Sequence, residues 1–171
     1  MKDLFEQLGI PDAYGRSPPL PRYAEPDELV YVGPNIIGRA QRLTPATARA
    51  WADMTAAAAS DSVKLLIVSG FRGTADQTRL ITDKLKAGQS IDAILKVNAA
   101  PGFSQHHTGR AIDIATPGVR PLIDDFAESS AFQWLSQNAG RFGFTLSYER
   151  DNELGIAYEP WHWFFTGELK S

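Results

Sequence analysis

All three histidines of this 171-residue chain fall in two short stretches. The first is Phe103-Ser104-Gln105-His106-His107-Thr108-Gly109-Arg110-Ala111-Ile112-Asp113, and the second, near the C-terminus, is Glu159-Pro160-Trp161-His162. The chain has no cysteine, which excludes disulfides and thiolate metal sites. Any metal centre must therefore use imidazole and carboxylate ligands. This constrains the fold, because two segments far apart in sequence have to meet.

A catalytic zinc takes three protein ligands and keeps one position open. His106, Asp113 and His162 would supply two neutral nitrogens and one carboxylate oxygen. Gly109 suits a turn that brings His106 back over a strand carrying Asp113. A metal held this way would lower the pKa of its bound water to roughly 7 and polarise a carbonyl. Hydrolysis also needs a general base beside that water, and Glu159, three residues before His162, is the candidate. Positions three apart on a strand point to opposite faces, so Glu159 and His162 converge only if the backbone turns between them. Pro160 favours such a departure. The helical zinc-protease signature His-Glu-x-x-His is absent. Arg72, in Ser69-Gly70-Phe71-Arg72 at the end of the most apolar strand, would bind a substrate carboxylate or stabilise an oxyanion.

Each of these residues also has an ordinary structural reading. A His–Asp pair seven apart is common by chance; the weight comes from every histidine lying in two stretches that also hold an Asp and a Glu. Arg72 fits a surface salt bridge equally well. His107, next to His106, points elsewhere and suits a surface position or support of the ligands. Gln77 reads as a helix cap, Trp51, Trp134, Trp161 and Trp163 as core, and Asp124 and Asp125 as a solvated helix start.

The length predicts one domain over 1–171, with 1–44 as an extended N-terminal arm and 63–167 as the catalytic core. Hydrophobic and charged contents of 43% and 22% are those of a soluble globular protein, expected to be a monomer. A net charge of -3 without a Lys/Arg run argues against a nucleic-acid partner. No stretch approaches the roughly 20 apolar residues of a membrane span. Met1 to Gln7 is too polar for an export signal. The expected location is cytoplasmic, or outside after lysis; a leader upstream of this chain would make it cell-wall or periplasmic.

Five prolines between Gly9 and Glu28 forbid regular structure there. Strands are expected at Leu29–Val32, Val63–Val68, Ala111–Ile114, Phe144–Ser147 and Trp161–Phe165. In the third of these, Ile112 and Ile114 face the core and Asp113 the other side. Thr44-Pro45 predicts a side-chain-capped helix to about Ala59. Thr74 and Gln77 have capping-box spacing for a helix stopped at Gly88. Ser90 caps a short helix through Leu95, and another helix runs from Ala131 to Ala139, closed by Gly140. The mixed order predicts an α+β fold, a central antiparallel sheet with flanking helices and the zinc site on the sheet.

Ser104 to Asp113 matches the Ser-x-His-x-x-Gly-x-Ala-x-Asp signature of VanY-type D-alanyl-D-alanine carboxypeptidases and their D,D-dipeptidase relatives. Glu159-Pro160-Trp161-His162 resembles the family's second signature, and Ser69-Gly70-Phe71-Arg72 its Ser-Gly-Tyr-Arg, with Phe71 in place of the usual Tyr. Phe142 to Gly167, with Leu146-Ser147-Tyr148, is similar to its C-terminal block. The resemblance covers about Val63 to Gly167. It implies a zinc peptidase that trims peptidoglycan stem peptides or muropeptides. His106, Asp113 and His162 would hold Zn2+ and Glu159 would activate the water. Arg72 would stabilise the reacting carbonyl or the substrate, Ser104 would help hold the terminal carboxylate, and Tyr148 would join the substrate-binding residues. Many relatives have Gln where His107 stands. The implied activity is removal of a terminal D-Ala by a D,D-carboxypeptidase. An L,D-carboxypeptidase or a phage-type endopeptidase would use the same site. A non-catalytic zinc-dependent wall-binding module is disfavoured because binding alone needs no Glu159.

Overall fold

A computed structural model describes residues 2–167 of the chain. Its centre is a four-stranded, fully antiparallel sheet in the order β3-β4-β6-β5, built from β3 (Leu66–Ser69), β4 (Ala111–Ala115), β5 (Phe144–Leu146) and β6 (His162–Phe165). A separate hairpin pairs β1 (Val30–Pro34) with β2 (Ala40–Leu43). Among the described residues, five α-helices complete the fold: α1 (Lys2–Leu8), α2 (Pro45–Ser60), α3 (Thr74–Lys86), α4 (Ile91–Leu95) and α5 (Ser130–Asn138). The α+β class and the antiparallel sheet with flanking helices are as the sequence predicts. Among the described residues, no helix is long and apolar enough to cross a membrane.

Period-two alternation in β4 divides the sheet into two faces. Ile112 and Ile114, both fully buried, join Trp51, Met54 and Ala58 of α2 and Ala131 and Leu135 of α5 in the main core. Each of the larger aliphatic side chains among these contributes about 1.5–3 kcal/mol by leaving water. Asp113 between them lies on the opposite face. A second apolar cluster joins Phe5 and Leu8 of α1, Ile81 of α3, Ile94 of α4 and Phe103. It carries the loop that leads into the first histidine stretch.

The 1–44 segment is not a plain extended arm: it holds α1 and the β1–β2 hairpin. Phe5 and Leu8, three positions apart and so on one helix face, bury against the second cluster, a support that a short isolated helix lacks in water. Between these elements the chain turns over residues 12–18, then runs on without regular structure, and is tied to the domain. The Ala100 N–H donates to the Tyr14 hydroxyl (3.1 Å), and the Tyr23 N–H donates to the Gly102 carbonyl (2.9 Å).

The helix ends also differ from the sequence reading. Thr44 makes no side-chain cap bond; its hydroxyl pairs with that of Thr47 at 2.8 Å. The Thr74–Gln77 capping box does not form. Gly73 is the N-cap residue of α3, the Thr74 N–H donates to the Glu25 carboxylate at 2.7 Å, and Gln77 is buried with its amide donating to the Ala99 carbonyl. An acidic side chain from the arm thus replaces the local cap, and it holds the position favoured by the helix dipole. Ser90 does cap α4. The last helix runs past Gly140 as a 3₁₀ turn closed by Gly143. The strand expected from Val63 begins only at Leu66, and that expected from Trp161 begins at His162.

Gly109 has φ +64°, and a Cβ there would sit 2.8 Å from Leu29 Cδ2 and 3.3 Å from the Thr44 nitrogen. Gly109→Ala is therefore expected to destabilise the fold by about 1–3 kcal/mol through backbone strain and the displaced neighbours. Denaturant unfolding of the two proteins measures this directly.

Candidate active site

The sheet register makes the first contact. Asp113 of β4 lies directly opposite His162 of β6, so their side chains emerge side by side on the face away from the core. His162 Nδ1 is 3.0 Å from Asp113 Oδ1. His106 arrives from the 3₁₀ turn Gln105–Thr108, which begins when the Ser104 hydroxyl accepts the His106 N–H and ends at left-handed Gly109. Its Nε2 is 3.1 Å from Asp113 Oδ2. All three side chains are buried.

The ring hydrogens are engaged elsewhere. His106 Nδ1 donates to the Gly70 carbonyl at 2.7 Å, and His162 Nε2 donates to Gln105 Oε1 at 2.8 Å. With each ring neutral and its hydrogen so placed, the two nitrogens that face Asp113 are left with lone pairs. Three acceptor atoms within 4.8 Å of one another, buried and without a donor among them, form a cage for a cation. Two atoms each roughly 2.0–2.1 Å from one tetrahedral ion lie roughly 3.3 Å apart, close to the 3.1 and 3.0 Å between each imidazole nitrogen and its nearer Asp113 oxygen. The donor set also fits zinc, which accepts imidazole nitrogen and carboxylate oxygen. Burial lowers the pKa of His106 and keeps the ring neutral, as a ligand must be. Burial would raise that of Asp113, but the positive charge and hydrogen bonds that His106 and His162 offer when protonated outweigh it and hold the carboxyl well below its usual range.

Glu159 reaches the same site by the turn that Pro160 imposes. The His162 N–H donates to the Glu159 carbonyl at 3.0 Å, closing Glu159-Pro160-Trp161-His162 as a β-turn with proline at its second position. The Glu159 N–H donates in turn to the Tyr148 carbonyl at 3.1 Å. Its carboxylate oxygen lies 3.8 Å from His162 Nδ1. Burial, reinforced by the charge of Asp113, pushes the Glu159 carboxyl up to about 7, against the opposing pull of His162 and Arg72. A carboxyl near neutrality can both take and return a proton.

The guanidinium of Arg72 lies close to Asp113 and Glu159, whose charges partly offset the downward pull of burial on its pKa. Its buried Nε has no hydrogen-bond partner among the described residues. Arg72 is thus a wall of the site and not the tip of a surface salt bridge. Its backbone is fixed on both sides: its N–H donates to the His106 carbonyl at 3.2 Å, and its carbonyl accepts from His107 Nδ1 at 2.7 Å. His107 is fully buried, which excludes the surface position. Its Nε2 accepts the Gly102 N–H at 3.0 Å, so the ring is neutral and braces Arg72 against the loop before the motif.

These groups line a cavity of about 720 Å³, a volume suited to a small peptide end. Ser104, Tyr148 and Trp161 line it as well. The Tyr148 ring packs on that of His162 with centroids 4.7 Å apart. Trp163, on the other face, is core. All seven residues singled out from the sequence, His106, Asp113, His162, Glu159, Arg72, Ser104 and Tyr148, border this one cavity. The sequence reading missed Gln105 and the Gly70 carbonyl, which orient the two imidazoles. No spacing rule marks them, because both act through hydrogen bonds that exist only once the segments meet.

The family described as VanY, D-alanyl-D-alanine carboxypeptidase, matches residues 40–168. A D-alanyl-D-alanine carboxypeptidase of Enterococcus faecalis is 32% identical over 125 residues, covering 67% of this chain and 45% of its own length. The bifunctional D-Ala-D-Ala dipeptidase and carboxypeptidase VanXYC of Enterococcus gallinarum is 32% identical over 133 residues, covering 73% and 67%. This chain thus spans less than half of the first relative and about two thirds of the second. Among solved structures, the LdcB LD-carboxypeptidase superposes with a TM-score of 0.72 at 28% identity, over 85% of this chain and 71% of that one. VanYB in complex with D-alanine-D-alanine gives a TM-score of 0.65 at 28% identity, over 85% and 79%. A mutant of the vancomycin resistance D,D-pentapeptidase VanY in complex with Zn(II) gives 0.65 at 26%, over 86% of each. With its family signature residues gathered round one buried cage and three quarters of its length matched, the chain belongs to the VanY D-alanyl-D-alanine carboxypeptidase family.

Proposed function

We propose that the chain is a zinc-dependent D,D-carboxypeptidase that removes the terminal D-Ala from peptidoglycan stem peptides. The observation that carries this reading is the cage itself: His106 Nε2, an Asp113 oxygen and His162 Nδ1 converge with both imidazole hydrogens engaged elsewhere. These three atoms would hold the zinc. When bound, the ion supplies Lewis acidity, lowering the pKa of a water and polarising the scissile carbonyl.

The remaining chemistry belongs to the chain's own side chains. Glu159, beside the cage, takes the proton of the attacking water and returns it to the departing D-Ala amine. Arg72 faces the developing negative charge on the carbonyl oxygen, and its burial strengthens that interaction. The Ser104 hydroxyl, which accepts from the His106 N–H, keeps its own hydrogen for the substrate's terminal carboxylate. Tyr148 holds the Glu159 turn through its carbonyl and packs its ring on His162. The fold likeness to VanYB bound to D-alanine-D-alanine and to zinc-bound VanY supports this reading.

The likeness to LdcB favours one second reading, in which the same site cuts the L,D bond of a tetrapeptide. A panel of synthetic stem peptides followed by mass spectrometry separates the two. The expected product is a pentapeptide shortened by one D-Ala, with the tetrapeptide left intact. Trimming of the tetrapeptide instead would assign L,D specificity. Release of a cross-linked dimer into monomers would make the chain an endopeptidase. No product from any peptide with zinc present would reject the peptidase reading.

A further inference from the structure

Gln105 stands between two residues of the family motif and touches neither the substrate space nor Asp113. Its amide nevertheless makes contacts to three different segments. Oε1 accepts from His162 Nε2 at 2.8 Å and from the Ser147 hydroxyl at 2.7 Å, while Nε2 donates to the Tyr23 hydroxyl at 3.4 Å. The side chain is buried, so water does not substitute for these bonds. Ser147 follows directly on β5, His162 opens β6, and Tyr23 belongs to the N-terminal segment.

We infer that Gln105 is a positioning residue that fixes His162 as its Nε2–H tautomer and so presents the Nδ1 lone pair to the metal. This rests on the reading of His106, Asp113 and His162 as zinc ligands. A neutral imidazole carries one ring hydrogen, and two acceptors compete for it: Gln105 Oε1 on one side and Asp113 Oδ1 at 3.0 Å on the other. A hydrogen on Nδ1 would satisfy Asp113 and block coordination. The amide oxygen, which also accepts the Ser147 hydroxyl, draws the hydrogen to Nε2. His106 is held in the opposite tautomer by the Gly70 carbonyl. The site thus sets two imidazoles in opposed tautomers, one by backbone and one by side chain.

The test uses zinc dissociation constants from chelator competition on the full chain, together with imidazole ¹⁵N spectra of the zinc-loaded and zinc-stripped protein. Gln105→Met keeps the length and removes the acceptor; its zinc binding is expected to weaken about 10–100-fold. Gln105→Glu keeps the oxygen acceptor, adds a second and removes the amide N–H; it is expected to bind zinc as tightly as wild type or tighter. The spectra should show His162 protonated at Nε2 and His106 at Nδ1. Wild-type affinity in Gln105→Met, an equal loss in Gln105→Glu, or a zinc-stripped His162 carrying its hydrogen on Nδ1 would each overturn the inference. If Gln105→Met does not fold, Gln105→Glu and the wild-type spectra still decide. His162→Ala separates the two claims. Unchanged zinc affinity in that variant rejects the ligand reading itself. Loss there, with no effect of Gln105→Met, rejects only the role of Gln105.

Discussion

Glu159→Gln is expected to lower kcat on a D-Ala-terminated peptide by about 10²–10⁴-fold while zinc content stays at the wild-type level. The substitution is nearly isosteric, and the bonds that shape the local turn are all backbone: Glu159 N–H to the Tyr148 carbonyl, and His162 N–H to the Glu159 carbonyl. The ligand cage should therefore be preserved. What disappears is a carboxylate able to accept a proton. In the metal-free protein that carboxyl sits near 7 because it is buried beside Asp113. A dipositive ion in the cage would draw it lower and leave it ionised, ready to act as base. A loss confined to kcat, with KM little changed, marks a group that acts in the transition state. Near-normal turnover would mean that some other group moves the proton.

Asp113→Ala should have the other large effect: loss of stoichiometric zinc and, with it, loss of turnover. Asp113 is the one anionic member of the proposed ligand set, and it sits between the other two, 3.1 Å from His106 Nε2 and 3.0 Å from His162 Nδ1. Without it the site offers two neutral nitrogens, too few for a closed zinc site. Thermal unfolding gives a readout independent of catalysis. An ion that binds only the folded state stabilises it by about 2.7 kcal/mol at a hundredfold excess over its dissociation constant. Added zinc should raise the Tm of the stripped wild-type protein and leave that of Asp113→Ala unmoved. An equal rise in both would remove Asp113 from the ligand set.

Both predictions rest on residues visible in the sequence, and the reason is physical. The proposed ligands and base are particular residue types, so rare types in short patterns mark them as candidates. The β4 alternation likewise announced which way Asp113 points. Other features depended on partners from distant segments. The helix of residues Lys2–Leu8 forms against Phe103 and the α3–α4 cluster, not from any strong local signal. The capping-box spacing at Thr74 was outcompeted by Glu25, 49 residues earlier. His107 looked like a spare histidine beside a ligand, and only the fold reveals that it joins the Arg72 carbonyl to the Gly102 N–H. Gln105 is the clearest instance. Its chemistry is set by Ser147, His162 and Tyr23, none of which is its neighbour in sequence.

The most direct measurement is a crystal structure of the zinc-loaded chain with anomalous data collected at the zinc absorption edge. The expected result is a single strong peak on the sheet face, about 2.0–2.2 Å from His106 Nε2, an Asp113 oxygen and His162 Nδ1, with Glu159 beside its open side. A peak held by other residues, or no peak between these three at full zinc loading, would contradict the account.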